Sequence, residues 1–156
     1  MGYYRRRRVV YRGSRDKYSM EHASFAVDMV GGAQVNREVV PAIASQGMRK
    51  VKHLNISVAS VNGDTVGSVY WALVYVPQQT AVGVMQTSST TAVSLYEPNQ
   101  FVMSCGVFDF SAGPVRISSP ISRNLNSGDS IYLCLASTTS TTFSLNGVVN
   151  YAVTFN

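Results

Sequence analysis

The chain has 156 residues, of which 46% are hydrophobic and only 13% charged, with a formal net charge of +5. That length and apolar content fit one globular domain with a substantial core and exclude a disordered chain. No apolar run approaches the ~18–20 residues that a membrane-spanning helix needs, so no membrane partner is expected.

The charge is concentrated in the first seventeen residues. Arg5, Arg6, Arg7, Arg8, Arg12, Arg15 and Lys17 stand there against the single acid Asp16, for a net +6. The other 139 residues hold six bases (Arg37, Arg49, Lys50, Lys52, Arg116 and Arg123) and seven acids, for a net −1. Tyr3, Tyr4, Tyr11 and Tyr18 are interleaved with the arginines. Arginine forks match phosphate oxygens and tyrosine rings stack on unpaired bases, so this stretch reads as a nucleic-acid-binding arm. A solvated tail or a nuclear import address is the competing reading of such a charge run. Fully extended, the arm spans roughly 55–60 Å. The short run Val9-Val10-Tyr11 is broken at once by Arg12, so no secretory signal is predicted. We divide the chain into a basic arm, 1–20, and a body, 21–156.

The body reads as short strands separated by turn residues. Phe25, Val27 and Met29 alternate with smaller or polar neighbours until Gly31-Gly32, and Gln34–Ile43 is a weaker strand limited by Pro41. In Arg49–Ser60, Leu54, Ile56 and Val58 share one face. Lys50 and Lys52 share their parity, which requires either a bulge or a pair of lysines beyond the core rim. Val69–Val76 (VYWALVYV) is apolar on both parities and predicts a strand covered on both faces. Gln78–Pro98 has no clear period and predicts a surface excursion with a short element inside. Phe101–Phe108, Val115–Ile117 and Ile131–Ala136 are further strands, with Asn124–Ser130 a turn and Ser137–Ser144 a loop before the last strand, which carries Val149, Tyr151, Val153 and Phe155. Eight strands and no convincing helix predict an all-β sandwich or barrel. Cys105 and Cys134 lie in apolar runs and are expected to be buried free thiols.

Nothing in the sequence points to an enzyme. His22 and His53 are the only histidines, and no zinc-protease, nucleophile-elbow, phosphate-loop or dinucleotide pattern occurs, so no catalytic residue, metal site or cofactor is expected. Asp64, Asp109 and Asp129 sit in turns, where aspartate commonly bonds nearby backbone; a calcium ion shared between copies is the alternative.

The stretches Glu21–Phe25 (EHASF), Gln34–Pro41 (QVNREVVP), Gln46–His53 (QGMRKVKH), Trp71–Pro77 (WALVYVP), Leu95–Phe101 (LYEPNQF), Gly113–Ile117 (GPVRI) and Ser122–Tyr132 (SRNLNSGDSIY) resemble capsid proteins of small circular single-stranded DNA viruses. Those are similar in plan to the coat proteins of plant satellite RNA viruses. The resemblance spans most of the chain and is most specific over Leu95–Tyr132. It implies an eight-stranded antiparallel jelly-roll sandwich, with strands at 22–30, 34–43, 48–60, 67–77, 100–108, 114–121, 129–137 and 147–156. It further implies sixty copies in the simplest (T=1) icosahedral shell, an arm turned inward on a single-stranded DNA genome, and a virion protein that engages host nuclear import and assembles in the host nucleus. Arg37, Arg49, Lys50, Lys52, Arg116 and Arg123 are then candidates for the inner face or for ion pairs between copies. Trp71, Tyr75 and Phe108 are candidate apolar anchors between copies, unless the core absorbs them. The alternatives are a non-capsid nucleic-acid-binding β-sandwich module with a basic arm, and a secreted lectin or adhesin.

Overall fold

A computed structural model describes residues 18–44, 47–61 and 67–155. They form nine strands: β1 (Ser19–Met29), β2 (Gln34–Val40), β3 (Arg49–Ser60), β4 (Ser68–Val76), β5 (Val102–Asp109), β6 (Val115–Ser119), β7 (Arg123–Leu125), β8 (Ser130–Ser137) and β9 (Phe143–Phe155). The only helical pieces among the described residues are two short 3₁₀ turns, Asn99–Phe101 and Phe110–Ala112.

The strands make two antiparallel sheets. One runs β1-β9-β3-β6 with β7 also paired to β3, and the other runs β2-β8-β4-β5. With the short β7 set aside, the first of eight strands pairs with the last, the second with the seventh, the third with the sixth and the fourth with the fifth. A long antiparallel hairpin wrapped around a barrel axis gives this order, and it defines the predicted jelly-roll sandwich.

Alternation places the core between the sheets. Phe25, Val27 and Met29 of β1, Leu54, Ile56 and Val58 of β3, Leu133 and Leu135 of β8, and Leu145 and Val149 of β9 all point inward and are buried. The parity conflict in β3 is resolved by a bulge. Its register against β9 shifts between Lys52 and Asn55, and His53 takes φ 54°, a rare value for a residue with a side chain. Arg49 and Val51 therefore point inward before the bulge, while Lys50 and Lys52 point out.

β4 is covered on both faces, as its composition predicts. Val69 and Leu73 enter the main core, whereas Ala72, Val74 and Val76 join a second cluster with Met85, Tyr96, Cys134 and Ala136. Met85 and Tyr96 belong to the excursion after β4, and their isolated bridge is the short element within it. The side chain of Gln34 fastens this segment: its Nε2 donates to the Gly83 carbonyl at 2.9 Å, and its Oε1 accepts from the Met85 amide at 2.6 Å. The Tyr96 hydroxyl accepts from the Gly83 amide at 2.7 Å.

Three expectations are corrected. β7 lies partly inside the segment read as a turn, because only Leu125 of its three residues is apolar and fully buried. β9 begins at Phe143 rather than 147: Phe143 and Leu145 face inward on either side of Ser144, and the Ser/Thr run before them hides where the alternation starts. Cys105 is exposed and only Cys134 is buried. On edge strand β5, Cys105 pairs with Ala72 on the outward face of its sheet. Burial pushes the Cys134 thiol up to about 12, so it is an inert core group.

Gly147 of β9 pairs with Phe25 of β1, and the phenyl ring lies against it; a β-carbon there would come within 2.3 Å of the ring. Gly147→Ala is expected to displace Phe25 and cost about 1–3 kcal/mol in urea unfolding. An unchanged midpoint would show that the ring has room to move.

Candidate nucleic-acid interface

The arm residues Tyr3, Tyr4, Arg5, Arg6, Arg7, Arg8, Tyr11, Arg12, Arg15 and Lys17 lie outside the described residues. The described chain begins at Tyr18, one residue before β1. The structure thus fixes where the arm's attachment point sits, at the outer edge strand of the five-stranded sheet.

That attachment point adjoins a set of cations. Strand pairing puts Met20, Ala152 and Lys52 in one row across β1, β9 and β3, and puts Thr154, Lys50 and Asn124 in the neighbouring row across β9, β3 and β7. The Lys52 ammonium lies 4.7 Å from the centroid of the Tyr18 ring, within cation–π range. Arg116 of β6 shares this outward face and donates to the Asn55 amide oxygen at 3.1 Å. Asp28, an acid on the same face, is bonded by the Ser144 hydroxyl at 2.6 Å. The outward positions of the four-stranded sheet instead carry Glu38 and Asp109 and no lysine or arginine; Arg37 of β2 stands at the opposite parity. The two faces of the body are therefore opposite in charge, and the arm leaves from the cationic one.

The remaining candidates fall elsewhere. Arg37 is an exposed residue of β2, paired with Leu133 at the inward parity of that edge strand. Arg49 is buried, which corrects its assignment to an inner face or an interface. Its Nη2 donates to the Pro41 carbonyl and, at 3.1 Å, to the Asp129 carbonyl, while Nε has no partner among the described residues. Burial lowers the Arg49 pKa, partly offset by the fields of Tyr151, Asp129 and Glu38. Its role is to tie β3 to the turn before β8. Trp71 is half-buried, packs against the core and covers Gly106, so it leaves little surface for a partner. Phe108 is a core residue stacked edge-on with Phe110 at 4.8 Å, which removes it as an exposed anchor.

The sequence reads Asp129 as a turn residue, with a shared calcium ion as the alternative; the structure makes it the hub of this end of the sandwich. Its Oδ2 accepts from the Tyr75 hydroxyl at 2.7 Å and from the Asn126 amide at 2.8 Å, and its Oδ1 accepts from the Gln78 amide at 3.0 Å. Burial alone would raise the carboxyl pKa, but the hydrogen bonds from Asn126, Tyr75 and Gln78 outweigh it and the net shift is downward. Tyr75 is shifted upward, first by burial and then by its bond to the carboxylate.

Above the Tyr75 ring lies the Arg123 guanidinium, 4.1 Å from the centroid, and Phe101 meets the same ring edge-on at 5.8 Å. Lys50, Tyr75, Ser122, Arg123 and Asn124 line an open depression of about 400 Å³ in which no carboxylate takes part. The sequence marks Asn124 as the start of a turn and gives Ser122 no binding role; the short β7 pairing sets Asn124 opposite Lys50. No group of three or more potential metal ligands occurs among the described residues.

Fold and surface together define an all-β jelly-roll protein with one cationic face and an arginine-rich extension leaving from it. No family model matches the chain, and no curated protein matches it. Among solved structures it is similar to the decameric BFDV capsid protein, with a TM-score of 0.48 and 9% identity over 90% of this chain and 98% of that one. It is also similar to Desmodium yellow mottle tymovirus, with a TM-score of 0.37 and 13% identity over 92% of each chain. A third likeness, to infectious bursal disease virus Gt strain, has a TM-score of 0.21 and 12% identity over 90% of this chain and 41% of that one. At such identities and scores the likenesses carry no functional weight.

Proposed function

We propose that this chain is a viral coat protein that assembles with copies of itself into a small closed shell and packages a single-stranded nucleic acid genome through its arm. The observation that carries this reading is the coincidence of a jelly-roll body with a one-sided charge distribution. The arm root at Tyr18 and the cations Lys50, Lys52 and Arg116 share one outward face, opposite the face that carries Glu38 and Asp109. A subunit polarised in this way can turn its cationic face to a polyanion while its acidic face meets solvent. The body's sparse charge and Ser/Thr-rich exterior suit surfaces buried between copies.

The finer reading is sixty copies, a T=1 shell, a DNA genome, a virion location and a nuclear import role for residues 1–17; it follows the sequence resemblance. Binding is electrostatic and indifferent to base sequence, because arginine forks and tyrosine rings recognise phosphates and base faces rather than base edges. No catalytic step is required of any residue. Size-exclusion chromatography and negative-stain microscopy of the purified chain test the proposal: megadalton particles of uniform diameter are expected. A monomer or small oligomer that still binds DNA at every salt and pH would replace the shell with a nucleic-acid-binding module.

A further inference from the structure

The depression lined by Lys50, Tyr75, Ser122, Arg123 and Asn124 sits over the Asp129 hub and gathers two cations, a hydroxyl and an amide around an open mouth. We propose that it is a phosphodiester site: a fixed station on the body that holds one phosphate of the single strand bound by the arm. The proposal rests on the nucleic-acid reading above and assigns that function a defined place outside the arm.

Three features of the geometry support it. First, Arg123 is pre-oriented. Stacking of its guanidinium on Tyr75 at 4.1 Å occupies one face of the plane and leaves the N–H edge to point at an acceptor, the arrangement in which arginine engages phosphate with two parallel hydrogen bonds. The Tyr75 ring is itself held, by its hydroxyl bond to Asp129 and by the edge of Phe101, so the platform is rigid before any ligand arrives. Second, the lining has the right chemistry. Lys50 supplies a second positive charge from the neighbouring strand, and Ser122 and Asn124 supply a hydroxyl and an amide for the remaining phosphate or sugar oxygens. No carboxylate lines the depression to compete for the cations, and its open mouth admits a polymer.

Third, the position matches the arm. From β1, where the arm is attached, β9 and β3 lead to β7, three strand spacings of about 4.8 Å each, or roughly 15 Å. Lys52 lies over that path beside Tyr18, and Lys50 follows it one pleat repeat along β3. A strand held by the arm root can therefore pass Lys52 and Lys50 on the outward face and turn over the short β7 to Arg123, which pairs with Val51 at the inward parity and lies over Tyr75 at the open end of the sandwich.

The test uses the full chain, dissociated into subunits, binding a fluorescent oligothymidylate as salt is varied. The site predicts that Lys50→Ala/Arg123→Ala makes the slope of log K against log[salt] shallower by about 1.4, two contacts at about 0.7 each. It also predicts that inorganic phosphate weakens the wild type more than the double variant. Photocrosslinking of halogenated oligonucleotide should label peptides containing Tyr75 or Ser122–Asn124. Circular dichroism and thermal melting of the double variant confirm that it is folded; Asn124→Asp, which adds only a carboxylate to the rim, serves as the second variant and should weaken binding likewise. If wild-type binding is independent of salt, the nucleic-acid reading itself fails. If the wild type shows a steep slope that neither variant alters, the arm reading stands and the site is overturned. Loss of particle formation with an unchanged slope would also overturn it, since the cations would then be meeting a carboxylate of a neighbouring copy.

Discussion

Deletion of residues 1–17 is expected to abolish packaging and to flatten the salt dependence of single-strand binding, so that the affinity lost on deletion is about a thousandfold greater at 50 mM than at 200 mM salt. The deletion removes seven of the thirteen lysines and arginines and leaves a body of net charge −1. Seven single-strand phosphate contacts give a slope of log K against log[salt] near −5, which corresponds to about three decades of affinity between 50 and 200 mM salt. The body retains Lys50, Lys52 and Arg123 near the arm root, so a residual slope of about −2 should survive. Fluorescence anisotropy measures the slope, and the ratio of absorbance at 260 and 280 nm reports uptake into particles. Because the sheet pairings that define the sandwich begin at Ser19, the deletion should leave the body folded. Empty particles would place assembly wholly in the body; soluble subunits would show that neutralising the arms against a polyanion is needed to bring copies together. Undiminished uptake by the deleted protein would disprove packaging through the arm.

Much of the fold is legible in the sequence because the sheets are amphipathic in a simple way. Phe25, Val27 and Met29 alternate cleanly, and VYWALVYV announces its two covered faces. Legibility ends where tertiary context sets the pattern. The β3 parity conflict signals a bulge, but only the pairing with β9 locates it at Lys52–His53, and that location decides that Arg49 is buried while Lys50 and Lys52 are presented outward. In the same way, β7 has too few apolar residues to be read as a strand, and without β7 nothing joins Arg123 and Asn124 to Lys50. The arm is the reverse case. Its composition states its chemistry directly, through arginine and tyrosine, and needs no fold to do so.

Asp129 supplies the other large expected effect. Its carboxylate is the common acceptor for three donors from different parts of the chain: the Tyr75 hydroxyl in β4, the Gln78 amide just after β4 and the Asn126 amide in the turn. Asp129→Ala leaves these donors without their acceptor in a largely buried setting, at about 1–3 kcal/mol for each that water cannot reach, so a loss of about 3–5 kcal/mol is expected. Asp129→Asn should cost less. One amide oxygen can serve Tyr75 and Asn126 in place of Oδ2, but the amide nitrogen then faces the Gln78 N–H, donor against donor. Because the folded state holds the carboxyl below its ordinary value, the aspartate contributes stability that is complete above the unfolded value of about 3.9 and is lost as pH falls through the lower, folded value. Urea unfolding midpoints of dissociated subunits, measured across the acid range, should fall more steeply for the wild type than for Asp129→Asn, whose side chain does not titrate. The same substitution reaches the surface by a defined route. Tyr75 carries the stacked Arg123, so slackening the hydroxyl bond should also weaken phosphate competition at the depression while leaving the arm's share of the salt slope intact. A variant as stable as the wild type at neutral pH, with parallel acid limbs, would mean that water replaces the carboxylate at all three donors and that the hub is dispensable.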